Sequence, residues 1–124
     1  MFENCSNLTT APDLPATILK DYCYSWMFYG CNNLQKIANF SWVQTAYKSC
    51  ECMYRSCNGL TQIPNKVFSD NIKLTDSCYY GMFQGCTGVK TVTISKLDLS
   101  YANDCFASLF QDCTSLSEIV YYSR

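Results

Sequence analysis

Apolar and polar positions recur along this chain in blocks. In LDLSYANDCFASLFQDCTSLSEIV, residues 97–120, Cys105, Phe106, Leu109, Phe110 and Cys113 stand at offsets i, i+1, i+4, i+5 and i+8. Such offsets share one face of a 3.6-residue helix, so the pattern predicts a short helix. Leu116 to Val120 then reads as a strand. Cys23, Tyr24, Met27, Phe28 and Cys31 repeat the helical offsets, followed by Leu34 and Ile37. Cys78, Tyr79, Met82, Phe83 and Cys86 do so again, followed by Val89 and Val92.

These blocks divide the chain into repeats 1–26, 27–52, 53–81 and 82–108 with a partial copy at 109–124, their starts spaced by 26, 26, 29 and 27 residues. A period in this range predicts a solenoid, each unit covering the open apolar face of its neighbour. The expected fold is one domain of mixed α/β type with a single sheet. Each unit contributes one short parallel strand and a short helix or helical turn. Strands are expected around Thr9–Ala11, Gln35–Ala38, Thr61–Ile63, Lys90–Ser95 and Ser117–Tyr121. In repeat two Ser49 takes the slot of Cys23 and Cys78, Cys50 that of Tyr24 and Tyr79, and Cys52 falls opposite Trp26. The extra residues of repeat three lie within 65–77 and are expected to bulge as a surface loop.

Strand alternation directs Ile37, Ile63, Val92 and Ile119 inward. Their neighbours Lys36, Ala38, Gln62, Pro64, Thr91, Thr93, Glu118 and Val120 then form the outward row. A varied set of side chains on a common frame makes this row the candidate binding face. The loop 68–76 is the alternative. The aromatic column Phe2, Phe28, Tyr54, Phe83 and Phe110 is expected in the core, because it travels with Met and Cys.

The recurring MF-x-x-C-x-x-L-x-x-I with a preceding C-Y-x-x resembles the Treponema-type (BspA-like) leucine-rich repeat, and LPAT at Leu14–Thr17 is similar to its long-repeat variant. Ser49 in a cysteine slot, Val89 in place of Leu and the longer units depart from the family pattern. The resemblance implies a leucine-rich-repeat solenoid of the kind found in bacterial surface antigens, protist surface proteins and phage proteins. It implies adhesion and protein binding, and no catalytic motif.

Composition narrows the functions. A net charge of −1 gives no pull toward nucleic acid. No apolar run is long enough to span a bilayer, so no membrane insertion is expected. Residues 1–4 lack a signal-peptide pattern, which reads as a mature or excised fragment or as a protein that does not use that export route. Three N-glycosylation sequons, at Asn4, Asn7 and Asn39, lean weakly toward a eukaryotic secreted source. Ten cysteines fit a disulfide scaffold, but their recurrence with the apolar stripe favours buried thiols. There is no histidine and no C-x-x-C pair, so neither a metal site nor a His-based catalytic set is expected. Paired carboxylates could still serve glycoside hydrolysis, but the acids do not recur in one column and read as a solvated surface. No cofactor is expected.

The leading expectation is a non-catalytic binding or adhesion module, extracellular or at a cell surface, with a protein or glycan partner. A structural virion component is the alternative. The end units carry apolar sets, Phe2, Leu8, Ala11 and Leu14 at one end and Leu109, Phe110, Leu116 and Ile119 at the other. Self-association through open ends is therefore also expected.

Overall fold

The computed structural model describes residues 2–69, 71–94 and 103–121, with Val120 and Tyr121 described through their backbone alone. The expected leucine-rich-repeat solenoid of strand-plus-helix units is overturned. Among the described residues there is no α-helix. There are two strands, β1 (Thr91–Ile94) and β2 (Glu118–Tyr121), and one 3₁₀ segment, Asn65–Phe68. The two strands pair in parallel as a two-stranded sheet, with Thr91 opposite Glu118 and Val92 opposite Ile119. Nearly all the rest is turns and irregular chain. The strands expected at Thr9–Ala11, Gln35–Ala38 and Thr61–Ile63 do not form. Ser95 and residues 97–102 of the lead motif lie outside the described residues.

The segments read as helices are ribbons of overlapping turns. In 20–31 the N–H groups of Cys23, Ser25, Met27, Tyr29 and Cys31 each bond the carbonyl three residues back, at 3.1–3.2 Å. The intervening N–H groups turn outward. Those of Tyr24, Trp26, Phe28 and Gly30 bond the carbonyls of Ser49, Glu51, Met53 and Arg55. An α-helix would instead satisfy every N–H internally, four residues back. The backbone shows why it cannot be one. Every fourth residue is left-handed: Tyr22, Trp26 and Gly30, then Lys48, Cys52 and Ser56, then Ser77, Gly81 and Gly85, then Asp104, Ser108 and Asp112. L-residues do not string that conformation into helices. Gly30 and Gly85, at φ 73° and 74°, sit where the absence of a Cβ removes the steric cost.

The outward N–H groups set the register. Cys50 and Tyr54 bond Cys78 and Met82, and Tyr79 and Phe83 bond Cys105 and Leu109. This places Ser49 beside Cys78, and Cys52 opposite Trp26. The core follows from that alignment. Phe2, Phe28, Tyr54, Phe83 and Phe110 form a continuous ring stack, with centroids 5.3–6.3 Å apart and planes within 12°. Beside it runs a thiol ladder. Cys31, Cys57, Cys86 and Cys113 donate to the carbonyls of Phe2, Phe28, Tyr54 and Phe83 at 2.9–3.2 Å. All ten cysteines are free thiols; Cys23 is exposed and Cys5 half-buried.

The extra residues of repeat three do not simply bulge. They include the 3₁₀ segment, whose Val67 and Phe68 are fully buried. Tyr79 ties that segment down: its hydroxyl donates to the Val67 carbonyl at 3.0 Å and accepts from Trp42 Nε1 at 3.2 Å. Within the loop 68–76, Asp70 lies outside the described residues.

Candidate binding face

The turn ribbons leave the chain at Leu34 and Leu60, both fully buried. The segments that follow, 35–40 and 61–66, run along the surface. Among the described residues no backbone hydrogen bond joins them to each other, and none joins 61–66 to β1. On its far side 35–40 takes backbone bonds with 9–14, Leu14 N–H to Asn39 and Gln35 N–H to Thr9, and side chains hold both segments from behind. The Tyr54 hydroxyl accepts the Ala38 N–H at 2.9 Å. Lys66 donates to the Phe40 carbonyl, with its ammonium 4.4 Å from the centre of the Phe40 ring. Phe40 stacks in turn on Trp42 at 4.0 Å. Pro64 has no N–H to offer a ladder.

Two grooves result. The first has a volume of about 370 Å³ and is lined by Gln35–Phe40, Thr61, Gln62, Pro64 and Lys66. The second, about 410 Å³, is lined by Thr61, Gln62, Gly88, Lys90 and Thr91. Three lysines line the two grooves, and no Asp or Glu lines either. Three amides, Gln35, Asn39 and Gln62, supply donors and acceptors. Asn39 already donates to Asp13 Oδ1 at 3.1 Å.

The expected outward row is only partly gathered here. Lys36, Ala38, Gln62 and Pro64 line the first groove, and Gln62 and Thr91 the second. Ala38 does not point out: at 2% exposure it is buried. Thr93 is half-buried on β1 opposite Val120, whose side chain lies outside the described residues. Glu118 is exposed on β2 opposite Thr91 and lines neither groove. Of the residues directed inward, Ile63 and Val92 are buried and Ile37 partly so, but Ile119 is 50% exposed. Its strand is the outer member of the pair, where no further described segment covers it. Sequence reasoning missed Phe40 and Lys66. The signal was present, because the two are 26 residues apart, one repeat spacing.

A second polar cluster lies on the turn ribbons. The Arg55 guanidinium sits 5.4 Å from the Trp26 ring and 6.0 Å from Tyr29. Glu51 accepts from Trp26 Nε1 and Ser25 Oγ and pairs with Lys48 at 3.2 Å. The hydrogen bond from Lys48 to Glu51, with their opposite charges, raises the Lys48 pKa. Glu51 is thereby engaged by three partners, while Arg55 contacts the two rings.

The buried thiols are poorly suited to nucleophilic chemistry. Burial pushes Cys57 up to about 12 and Cys105 to about 11, and Cys50 and Cys86 also rise. The reactive form is the thiolate, which these values suppress at neutral pH. No cluster of three or more metal-binding side chains occurs among the described residues. No helix among them is long and apolar enough to cross a membrane. Comparison with known protein families, curated proteins and solved structures finds no match.

Proposed function

We propose that this chain is a non-catalytic binding module, exposed at a cell surface, that contacts a protein or glycan partner through the two grooves. The observation that carries this reading is the first groove. It is concave and cationic, lies between two segments with no backbone-to-backbone bond between them among the described residues, and stands on a well-packed layer. Its volume falls in the range of small-ligand sites and of pockets for a few residues of a larger partner. Polar groups held by a rigid support are the usual basis of specific recognition. The Treponema-type likeness of the MF-x-x-C-x-x-L motif adds support at the level of sequence, since adhesion is what that likeness implies.

The test is a capture experiment with the immobilised chain against surface-protein extracts and a glycan array. Lys36→Glu is expected to reduce capture about tenfold while leaving the melting temperature unchanged, because an exposed lysine contributes little to stability. Capture that is indifferent to the sign of residue 36 would remove the groove from the account.

A further inference from the structure

We propose that the first groove takes an extended, acidic segment of a partner protein, bound by main-chain pairing along its walls. This rests on the binding-module reading and specifies its ligand.

Two independent observations point there. The first is backbone chemistry. Among the described residues the N–H groups of Lys36 and Ile37 on one wall, and of Gln62 and Ile63 on the other, have no hydrogen-bond partner. Peptide N–H groups are strong donors, and at a solvent-facing wall they bond water until a partner's carbonyls replace it. Lys36, Ile37 and Gln62 line a gap of about 370 Å³, and Ile63 follows Gln62 on the same wall. Elsewhere the same chain does zip: β1 and β2, one repeat spacing apart, pair in full register. An extended chain laid in the gap supplies the missing acceptors, as in strand addition.

The second is charge. Lys36 and Lys66 line the groove and Lys90 lines its neighbour, with no acid in either wall. The whole chain is nonetheless slightly acidic, at −1. Lysine concentrated against that background matches a carboxylate-bearing segment. Carboxylate-to-ammonium hydrogen bonds are the stronger, charge-assisted kind. An acidic glycan shares the charge but lacks the alternating peptide groups that strand addition requires.

The experiment measures binding of the intact chain to a capped, fluorescein-labelled alternating Glu-Val peptide. Its Lys-Val counterpart, the same Glu-Val peptide N-methylated at every second amide, and an oligogalacturonate serve as comparisons. The proposal expects the Glu-Val peptide to bind and the Lys-Val peptide not to. N-methylation and Lys36→Glu should each weaken binding about tenfold. Lys66→Met, which keeps much of the stem packed on Phe40, should weaken it less. Hydrogen exchange at Gln62 and Ile63 should slow when the peptide is bound. If the oligogalacturonate binds with the same dependence on Lys36 and the peptide does not, the peptide ligand is overturned and the binding face survives. If N-methylation has no effect, main-chain pairing is overturned. If no probe binds and capture of extract proteins also ignores residue 36, both readings fall together.

Discussion

The turn ribbons and the groove walls come from the same repeat and meet opposite fates. Across the ribbons every second N–H reaches a neighbouring segment, 25, 28 or 26 residues further on, and five rings stack without a break. Across the walls at 35–40 and 61–66 no backbone bond crosses, and lysines and amides face the gap. The wall 61–66 is tied by the Lys66 side chain to Phe40, and 35–40 is fixed by the Tyr54 hydroxyl and by backbone bonds to 9–14 on its far side. The contrast teaches that one period can build a rigid layer and carry beside it two walls with no backbone bond across the gap between them. Stability should then reside in the first and recognition in the second.

The largest expected effect breaks the ribbons. Tyr54→Ala removes the middle ring of the stack and the acceptor of the Ala38 N–H. It should cost about 3–5 kcal/mol in urea melts. Lys36→Glu, in the wall, should stay within about 0.5 kcal/mol. Comparable losses at the two sites would erase the distinction.

Alkali should act on the ribbons next. Cys57 stays protonated in the folded chain up to about 12, against an ordinary thiol value of 9.0, because burial disfavours its thiolate. A raised folded pKa gives stabilisation that is complete below the unfolded value and is lost as pH rises through the folded one. Under reductant, stability should therefore hold to about pH 8. It should fall by about 2 kcal/mol for this thiol alone by about pH 10.5. A flat profile over that window would mean that the thiol is not buried as described. Native labelling with Ellman's reagent near pH 8 checks the same ladder: Cys23 and Cys5 should react first, and the buried remainder only in denaturant.

A smaller effect probes the join between ribbon and wall. Tyr79→Phe strands the Trp42 indole N–H and the Val67 carbonyl. Loss of the buried hydroxyl should cost about 1–2 kcal/mol by thermal or urea melts. No change would show that the hydroxyl is not what holds the 3₁₀ segment. The smallest effect has the opposite sign. Ser56 is left-handed, at φ 62°, in the column that carries Gly30 and Gly85. Ser56→Gly should stabilise by about 0.5–1 kcal/mol, and a loss of stability would speak against the turn geometry.

The sequence was legible where it counted residues and misleading where it assigned a conformation. The spacings of 26, 26, 29 and 27 aligned Cys23 with Ser49 and Cys78, and Cys52 with Trp26, and the hydrogen bonds adopt that register. The aromatic column and the thiols were read as core, and most are buried. The helix failed for a definite reason. Offsets of 0, 1, 4, 5 and 8 fit a 3.6-residue period over so short a run, but they fit a period of four better. Glycine at positions 30, 81 and 85, on that four-residue comb, was the available signal. Ser49 shows the same mismatch: its hydroxyl accepts the Ala46 N–H at 3.3 Å in a turn, where a helix would have offered a carbonyl. The grooves were less legible, because alternation assumes a strand. Without one, Ala38 turns inward and Phe40 and Lys66 enter the site.

Residue-resolved native-state hydrogen exchange compares the two regions most directly. The amides of Tyr24, Phe28, Cys50, Tyr54 and Phe83, each bonded to a neighbouring ribbon, should exchange only with near-global opening. Those of Lys36, Ile37 and Gln62 should exchange orders of magnitude faster through local exposure. Equal protection across both sets would contradict the account of a rigid turn layer carrying two walls with no backbone bond across their gap.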